Sequence, residues 1–343
     1  MALSRRALQR AKRILTGRAS KTLQRTHGRD LDDMERAVRP WLTGPRIVGF
    51  GVARRSTNRK RLDELALKVY VDEKWTQAEL EAKRLIPSEV TLPGIDGPVP
   101  IDVEEIGRIR LEGSGDVAPG DGIVHGAMKT QGTRGGLIGS LGCLVRRTTD
   151  RNTLYLLSST HVIGKFGAAR RGENVIEVVR RSGKFVLERP IGKFEAATGL
   201  NFGPGFPNVC EASVAKITDQ GRIRADIGDF GLPAGTDDTI REGQAVKKLG
   251  FRTAYTNGKV IDSDFDFKTR YPTTTGRSRK LGLHRQVLCQ RFTDQGDSGA
   301  AILGEQSNKI LGLHVGASPT GSSVFSRITP ILRLLDMQVV TQL

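Results

Sequence analysis

Gly296-Asp297-Ser298-Gly299-Ala300-Ala301-Ile302-Leu303 sets a serine between two glycines and runs straight into an apolar strand. A serine hydroxyl attacks a carbonyl only when it stands on a tight turn whose backbone N–H groups face the developing oxyanion. Glycines on either side of Ser298 suit such a turn, because no side chain crowds the incoming group. The amides of Gly296 and Ser298 are then the candidate oxyanion donors. The same tetrapeptide also builds ordinary turns, so a second element has to be found.

That element lies upstream. Leu154-Tyr155-Leu156-Leu157-Ser158-Ser159-Thr160-His161-Val162-Ile163 is an apolar strand that delivers a histidine at its end. An imidazole so placed can act as general base to a serine. Taken alone, His161 also fits a purely structural histidine.

Around these two anchors the chain from about 117 onward reads as short strands separated by turns. Examples are Leu141 to Arg146, Leu154 to Ser158, Ala212 to Ile217, Ala245 to Leu249, Ala300 to Leu303 and Ile310 to Val315. Such spacing without long intervening helices predicts a β-sandwich or a pair of barrels. A helix over about Ile328 to Met337 closes the pattern. The 41 glycines and 5% aromatic content agree with many tight turns.

The first part of the chain differs. Residues 1–29 carry nine Lys or Arg and no acid until Asp30. Leu3, Ala7, Leu8, Ala11 and Leu15 recur at helical spacing, which predicts a basic amphipathic helix or a solvated arm. Residues 30–112 read as a small α/β module. A helix from Asp30 to Val38 is expected to stop before Pro40. A strand Ile47 to Val52, a basic turn Arg54 to Arg61 and a strand Glu64 to Val71 come next. A short helix with Trp75 and Leu80, a Pro/Gly-rich loop and one or two strands over Val99 to Ile109 complete it. Glycine-rich sequence from Gly113 to Gly122 marks the boundary with a third region, 117–343.

Composition bounds the partners. The excess of 54 Lys or Arg over 37 Asp or Glu leaves a formal charge of +17. That suits an acidic protein, nucleic acid or an anionic surface, or simply a basic solvated exterior. No nucleic-acid motif accompanies the charge and aromatics for base stacking are scarce. Three widely spaced cysteines, Cys143, Cys210 and Cys289, form neither a metal pair nor a disulfide framework. No apolar run approaches the roughly 20 residues that span a bilayer, and no secretory segment is visible. The expectation is a soluble cytoplasmic protein, with a mitochondrial presequence the alternative for the Arg-rich start in a eukaryote.

On these residues the region 117–340 resembles the trypsin/chymotrypsin-type serine peptidases, in which a histidine, an acid and a serine follow in that order. The resemblance implies a double β-barrel and an acid between His161 and Ser298. Asn208-Val209-Cys210-Glu211-Ala212-Ser213-Val214-Ala215 resembles the family's acid-bearing strand and implies Glu211 as third member, where aspartate is usual. Asp226 and Asp229 are reserve candidates, and a plain surface glutamate is the alternative for Glu211. No metal or organic cofactor is called for.

Ile310-Leu311-Gly312-Leu313-His314-Val315-Gly316 is similar to the Gly-x-His strand of the picornaviral chymotrypsin-like cysteine proteases. With Thr293, five residues before Ser298, that likeness implies a pocket in which His314 and Thr293 hold Gln or Glu. The N-terminal module, through Val48-Gly49-Phe50-Gly51-Val52, Leu65 to Val71, Ile86-Pro87 and Asp102 to Gly107, resembles the leader of bacterial trypsin-like proteins. That wider group includes the plant Narrow Leaf protein, and Gly139-Ser140-Leu141-Gly142-Cys143-Leu144-Val145 is similar to its first barrel strand. Implied partners are a protein or peptide substrate, a regulatory protein and further copies of the chain. Arg46-Ile47-Val48-Gly49 imitates a zymogen activation site but precedes His161 by too far, so no such activation is expected.

Overall fold

Two antiparallel-dominated sheets form the frame of the described chain. The computed structural model describes residues 3–57, 60–74, 85–111, 127–130, 137–181, 184–218, 224–272, 277–319 and 321–342. The expected helix around Trp75 and Leu80 and the Gly113 to Gly122 boundary lie outside these residues.

The first sheet orders its strands Met337–Val339, Cys143–Arg147, Leu154–Ser159, Ala212–Ile217, Lys184–Ala197, Asn174–Arg181, Ala127–Thr130 and Gly139–Ser140. Gly139–Ser140 continues through Leu141 and Gly142 into Cys143–Arg147, so the sheet curls round into a barrel. The second sheet contains a closed ring. Ala245–Gly250, Ala301–Gly304, Ile310–Ala317, Ser322–Arg327, Ser278–Gln290 and Ala254–Pro272 pair in turn, and Ala254–Pro272 pairs back with Ala245–Gly250. The chain thus has a mainly β, chymotrypsin-like double-barrel architecture. Between the barrels lies a core of Cys143, Leu157, Val214, Leu303 and Leu313, sealed by Ile328 and Ile331 of the helix Ile328–Leu335.

The N-terminal module extends the second sheet. Strand Ile47–Thr57 pairs with the long strand Ala254–Pro272 at Gly49↔Phe267 and with Lys60–Val71 on its other side. The sequence predicts a turn from Arg54 to Arg61, but the two strands run on through most of it. The two glycines of Val48-Gly49-Phe50-Gly51-Val52 have a steric reason. A Cβ at Gly49 would strike the Asp266 carbonyl and the Phe265 ring, and one at Gly51 would overlap the Asp262 carboxylate and the Tyr70 ring.

Phe50 and Val52 on the opposite face meet the N-terminal helices. Ser4 caps the helix Arg5–Leu15 and Leu8, Ala11, Ile14 and Leu15 bury its apolar side. A docked helix forms there rather than a solvated arm. Its Lys12 is 1% exposed and lies 2.9 Å from Asp264 and 3.1 Å from Asp266. The helix Gly28–Leu42 runs through Pro40, where the sequence predicts a stop. Pro40 sits in the final turn, where it forgoes a single backbone bond to the preceding turn, and the helix continues to bury Trp41. No helix among the described residues is long and apolar enough to cross a membrane.

Candidate active site

Strand Leu154–Ser159 ends in a single helical turn, Thr160–Ile163, in which His161 is buried. Glu211 immediately precedes strand Ala212–Ile217, which pairs with that first strand at Ala212↔Ser159. The pairing register therefore brings residues separated by 50 positions side by side. Glu211 Oε1 lies 2.7 Å from His161 Nδ1, and Oε2 accepts the His161 backbone N–H at 3.0 Å. A carboxylate bound to both ring and main chain fixes the plane of the imidazole. Asp226 is bonded instead to Arg224 at 2.9 Å, and Asp229 is exposed in the short turn Gly228–Phe230.

Tyr271 was not legible in the sequence as part of this group. Its hydroxyl donates to Glu211 Oε2 at 3.3 Å from the end of the long strand Ala254–Pro272. Burial, and then the Glu211 charge, push the Tyr271 phenol well above its ordinary value, so it stays protonated as a donor. Phe166 covers both partners, with its ring 6.1 Å from the His161 ring and 5.2 Å from that of Tyr271. It does so from a left-handed backbone, φ 57°, beside Lys165 at φ 48°. Two consecutive non-glycine residues in that region are strained, a feature no sequence motif announces.

Ser298 stands on the turn the sequence predicts, with Gly296 at φ 109° and Gly299 at φ 89°. Both values favour glycine, which accounts for the glycines flanking the Asp-Ser pair. The amides of Asp297, Gly299 and Ala300 donate to the carbonyls of Asp294, His314 and Asp297. Those of Gly296 and Ser298 donate to no protein group among the described residues. The Ser298 hydroxyl donates to the Val315 carbonyl at 3.2 Å rather than to His161. His161 Nε2 is buried and has no hydrogen-bond partner among the described residues. Ser298, His161 and Glu211 are each at most 1% exposed.

The first barrel grips the serine turn through Gly139-Ser140. The Ser140 N–H donates to the Ser298 carbonyl at 2.7 Å and its hydroxyl to the Gly296 carbonyl at 2.9 Å. A Cβ on Gly139 would lie 2.7 Å from the Ser298 carbonyl, so a side chain there would push the turn away.

Asp297 anchors the turn from behind. Its Oδ2 lies 3.0 Å from Lys248 Nζ and accepts the Thr253 hydroxyl at 2.7 Å and the Asp294 N–H at 3.0 Å. Its Oδ1 accepts the Arg252 and Thr253 amides at 3.0 and 3.2 Å. Burial alone would raise this carboxyl, but the Lys248 ammonium and these hydrogen bonds hold it below the usual carboxylate range. Ile47, the first residue of the zymogen look-alike, is meanwhile paired with Val71 in the N-terminal sheet.

Of the two predicted pocket residues, Thr293 is 3% exposed and its hydroxyl meets Ser323 at 2.7 Å. His314 is fully buried on the strand beside Ser298, and its carbonyl accepts the Ser159 hydroxyl at 3.1 Å. The structure brings Thr293 to Ser323, a residue the sequence did not single out. The three cysteines are free and buried.

No protein-family model matches the chain, and no curated protein matches it. Among solved structures, the chain is similar to Thermobifida fusca protease A at 14% identity, over 64% of this chain and 98% of that one, with a TM-score of 0.41. It is also similar to a glutamic acid specific serine protease described as using a histidine triad in substrate binding. There the identity is 20%, over 63% of this chain and 98% of that one, with a TM-score of 0.41. Cellulomonas bogoriensis chymotrypsin matches at 17% identity, over 65% and 100% of the two chains, with a TM-score of 0.40. These likenesses assign no role to any residue here.

Proposed function

We propose that this protein is a serine endopeptidase that hydrolyses peptide bonds through an acyl-enzyme, with Ser298 as nucleophile, His161 as general base and acid, and Glu211 as the group that orients the imidazole. The observation that supports this reading most is the His161–Glu211 contact at 2.7 Å. A carboxylate on Nδ1 holds the proton there and leaves Nε2 as the basic nitrogen. His161 takes the Ser298 proton as the hydroxyl attacks, and the Gly296 and Ser298 amides stabilise the oxyanion. His161 then protonates the leaving amine, and water releases the acyl group. We propose further that Thr293 and His314 receive the oxygen of a Gln or Glu side chain before the scissile bond, with a hydroxyl and an imidazole N–H as donors.

Fluorophosphonate labelling tests the assignment. Labelling of the wild type that disappears in Ser298→Ala supports it, and no labelling of the wild type in any state overturns it. Cleavage profiling tests the pocket, and a preference for Lys or Arg before the scissile bond would sink the Gln/Glu reading.

A gated enzyme is the second reading. The closed geometry favours it, because Phe166 covers His161 and the Ser298 hydroxyl is turned to Val315. Labelling that begins only when a partner is added would distinguish it. A protease-fold binding protein that docks an acidic protein or nucleic acid loses support from the buried, ion-paired Lys12 of the basic helix.

A further inference from the structure

One edge of strand Ile310–Ala317 is paired with Ser322–Arg327 from Gly312 to Ala317. Its other edge changes partner residue by residue. Ala301↔Leu313 closes the pairing with the preceding strand. At His314 the carbonyl accepts the Gly299 amide at 2.9 Å and the amide donates to the Ala300 carbonyl at 2.9 Å. At Val315 the carbonyl accepts the Ser298 hydroxyl. Beyond it, at Gly316↔Leu111 and Ala317↔Arg110, the edge is filled by a two-residue antiparallel strand, Arg110–Leu111, from the N-terminal module.

An extended peptide binds an exposed strand edge by main-chain pairing. The edge positions that continue past Ser298 are Gly316 and Ala317, and the chain's own backbone lies on both. Gly316 is what lets it approach, since a Cβ there would collide with the Arg110 carbonyl and lie 3.3 Å from the Leu111 Cα. A peptide and Arg110–Leu111 cannot pair with the same backbone groups at once.

The segment is anchored firmly behind the edge and lightly on it. Ile106 and Ile109 are buried in the cluster that contains Val315, Val324 and Phe267. The Ile106 amide donates to the Val71 carbonyl at 3.0 Å and Thr269 donates to the Ile109 carbonyl at 3.1 Å. Arg108 reaches Asp72 at 2.7 Å. The edge pairing, by contrast, is two residues long, with Arg110 exposed and Leu111 half-buried. Those two residues can therefore leave the edge while their anchors stay. Leu111 also rests on the same cluster as Phe166, the ring that covers His161. One cluster thus carries both the residue over the histidine and the residue on the edge beside the serine.

We propose that Arg110–Leu111 is an inhibitory strap, seated on the main-chain binding edge beside Ser298 in place of a peptide and displaced when an extended peptide binds. The inference rests on the serine-peptidase reading above and names the regulation of that same site. A strap seated for about nine-tenths of the time weakens the apparent affinity for such a peptide about tenfold. A small reagent that reaches Ser298 without pairing to the edge is indifferent to it.

The test compares the full-length wild type with two double variants. Arg110→Gly with Leu111→Gly weakens the strap's pairing, and Arg110→Cys with Ala317→Cys ties it to the edge by a disulfide on oxidation. Each is assayed for hydrolysis of an extended peptide containing Gln and Glu, and for labelling by a small fluorophosphonate. The glycine variant is expected to lower KM about tenfold with kcat little changed, and to label within about twofold of the wild-type rate. The oxidised cysteine variant is expected to label but to cleave the peptide about tenfold more slowly, with hydrolysis restored by reductant. Peptide hydrolysis that the glycine variant leaves unchanged or lowers, with labelling intact, overturns the strap and leaves the peptidase reading standing. A locked chain that cleaves as fast as its reduced form does the same. Labelling lost only in the variants would make Arg110–Leu111 a support of the site and overturn the strap equally. Neither label nor hydrolysis in any form, wild type included, would instead remove the peptidase reading, and this inference with it.

Discussion

Two buried carboxylates flank the serine turn, and the two barrels neutralise them differently. On the wall of the first barrel, Glu211 faces the imidazole of His161, the proton carrier of the proposed mechanism. On the wall of the second, Asp297 faces the ammonium of Lys248, with four further donors around its oxygens. One pair is built so that charge can move through it. The other is built so that charge stays and the backbone between Asp294 and Ala300 keeps its shape. A buried cation against a buried carboxylate adds little net stability, but removing one partner strands the other.

Substitutions can break or sharpen that contrast. The largest effect is expected on the mobile side, where Glu211→Gln should lower kcat by about 10³–10⁴-fold by presenting the wrong imidazole tautomer. Stability should change far less, and Asp226→Asn should leave kcat within about twofold of wild type, a difference read by steady-state kinetics on one peptide. Equal losses in both variants would mean that Glu211 is not the orienting acid.

On the fixed side, Lys248→Met should cost about 3–5 kcal/mol of stability by leaving Asp297 uncompensated. Chemical denaturation measures this, and the double variant Lys248→Met with Asp297→Asn should recover part of the loss.

Acid reports the same pair. Asp297 has its folded-state carboxyl held below its unfolded value near 3.8. Its contribution is therefore present above that pH and is lost as pH falls through the lower, folded value. Asp297→Asn should flatten the stability-against-pH curve below about pH 4 without altering its slope near neutrality.

The smallest effect belongs to Tyr271→Phe. It removes one hydrogen bond of 3.3 Å to Glu211, a contribution of about 1 kcal/mol. Activity should fall about fivefold, read by steady-state kinetics on the same peptide. An unchanged kcat with lowered stability would make Tyr271 a packing residue only.

The parts of the site differ in how far they could be read from the chain alone. Ser298 and its glycines were legible because the turn is local, its φ values being needs of residues that adjoin in sequence. His161 was legible as a polar residue ending an apolar strand. Glu211 emerged only through likeness to a known strand, since nothing near Cys210 states that Ala212 will register opposite Ser159. The role of Ser140 depends on a contact across 156 positions, and that of Tyr271 on one across 60.

Local chemistry, then, was fixed by the sequence: a nucleophile on a glycine turn, a base at a strand end, alternating strands enough for two barrels, and a basic helix with one apolar side. Tertiary structure alone decided which carboxylate meets the imidazole, which cation holds Asp297, and that Arg110–Leu111 lies on the edge beside Ser298. The reason is physical. Turn geometry and side-chain chemistry act over a few residues, whereas strand register and burial couple residues far apart in the chain, and only the folded backbone sets those distances.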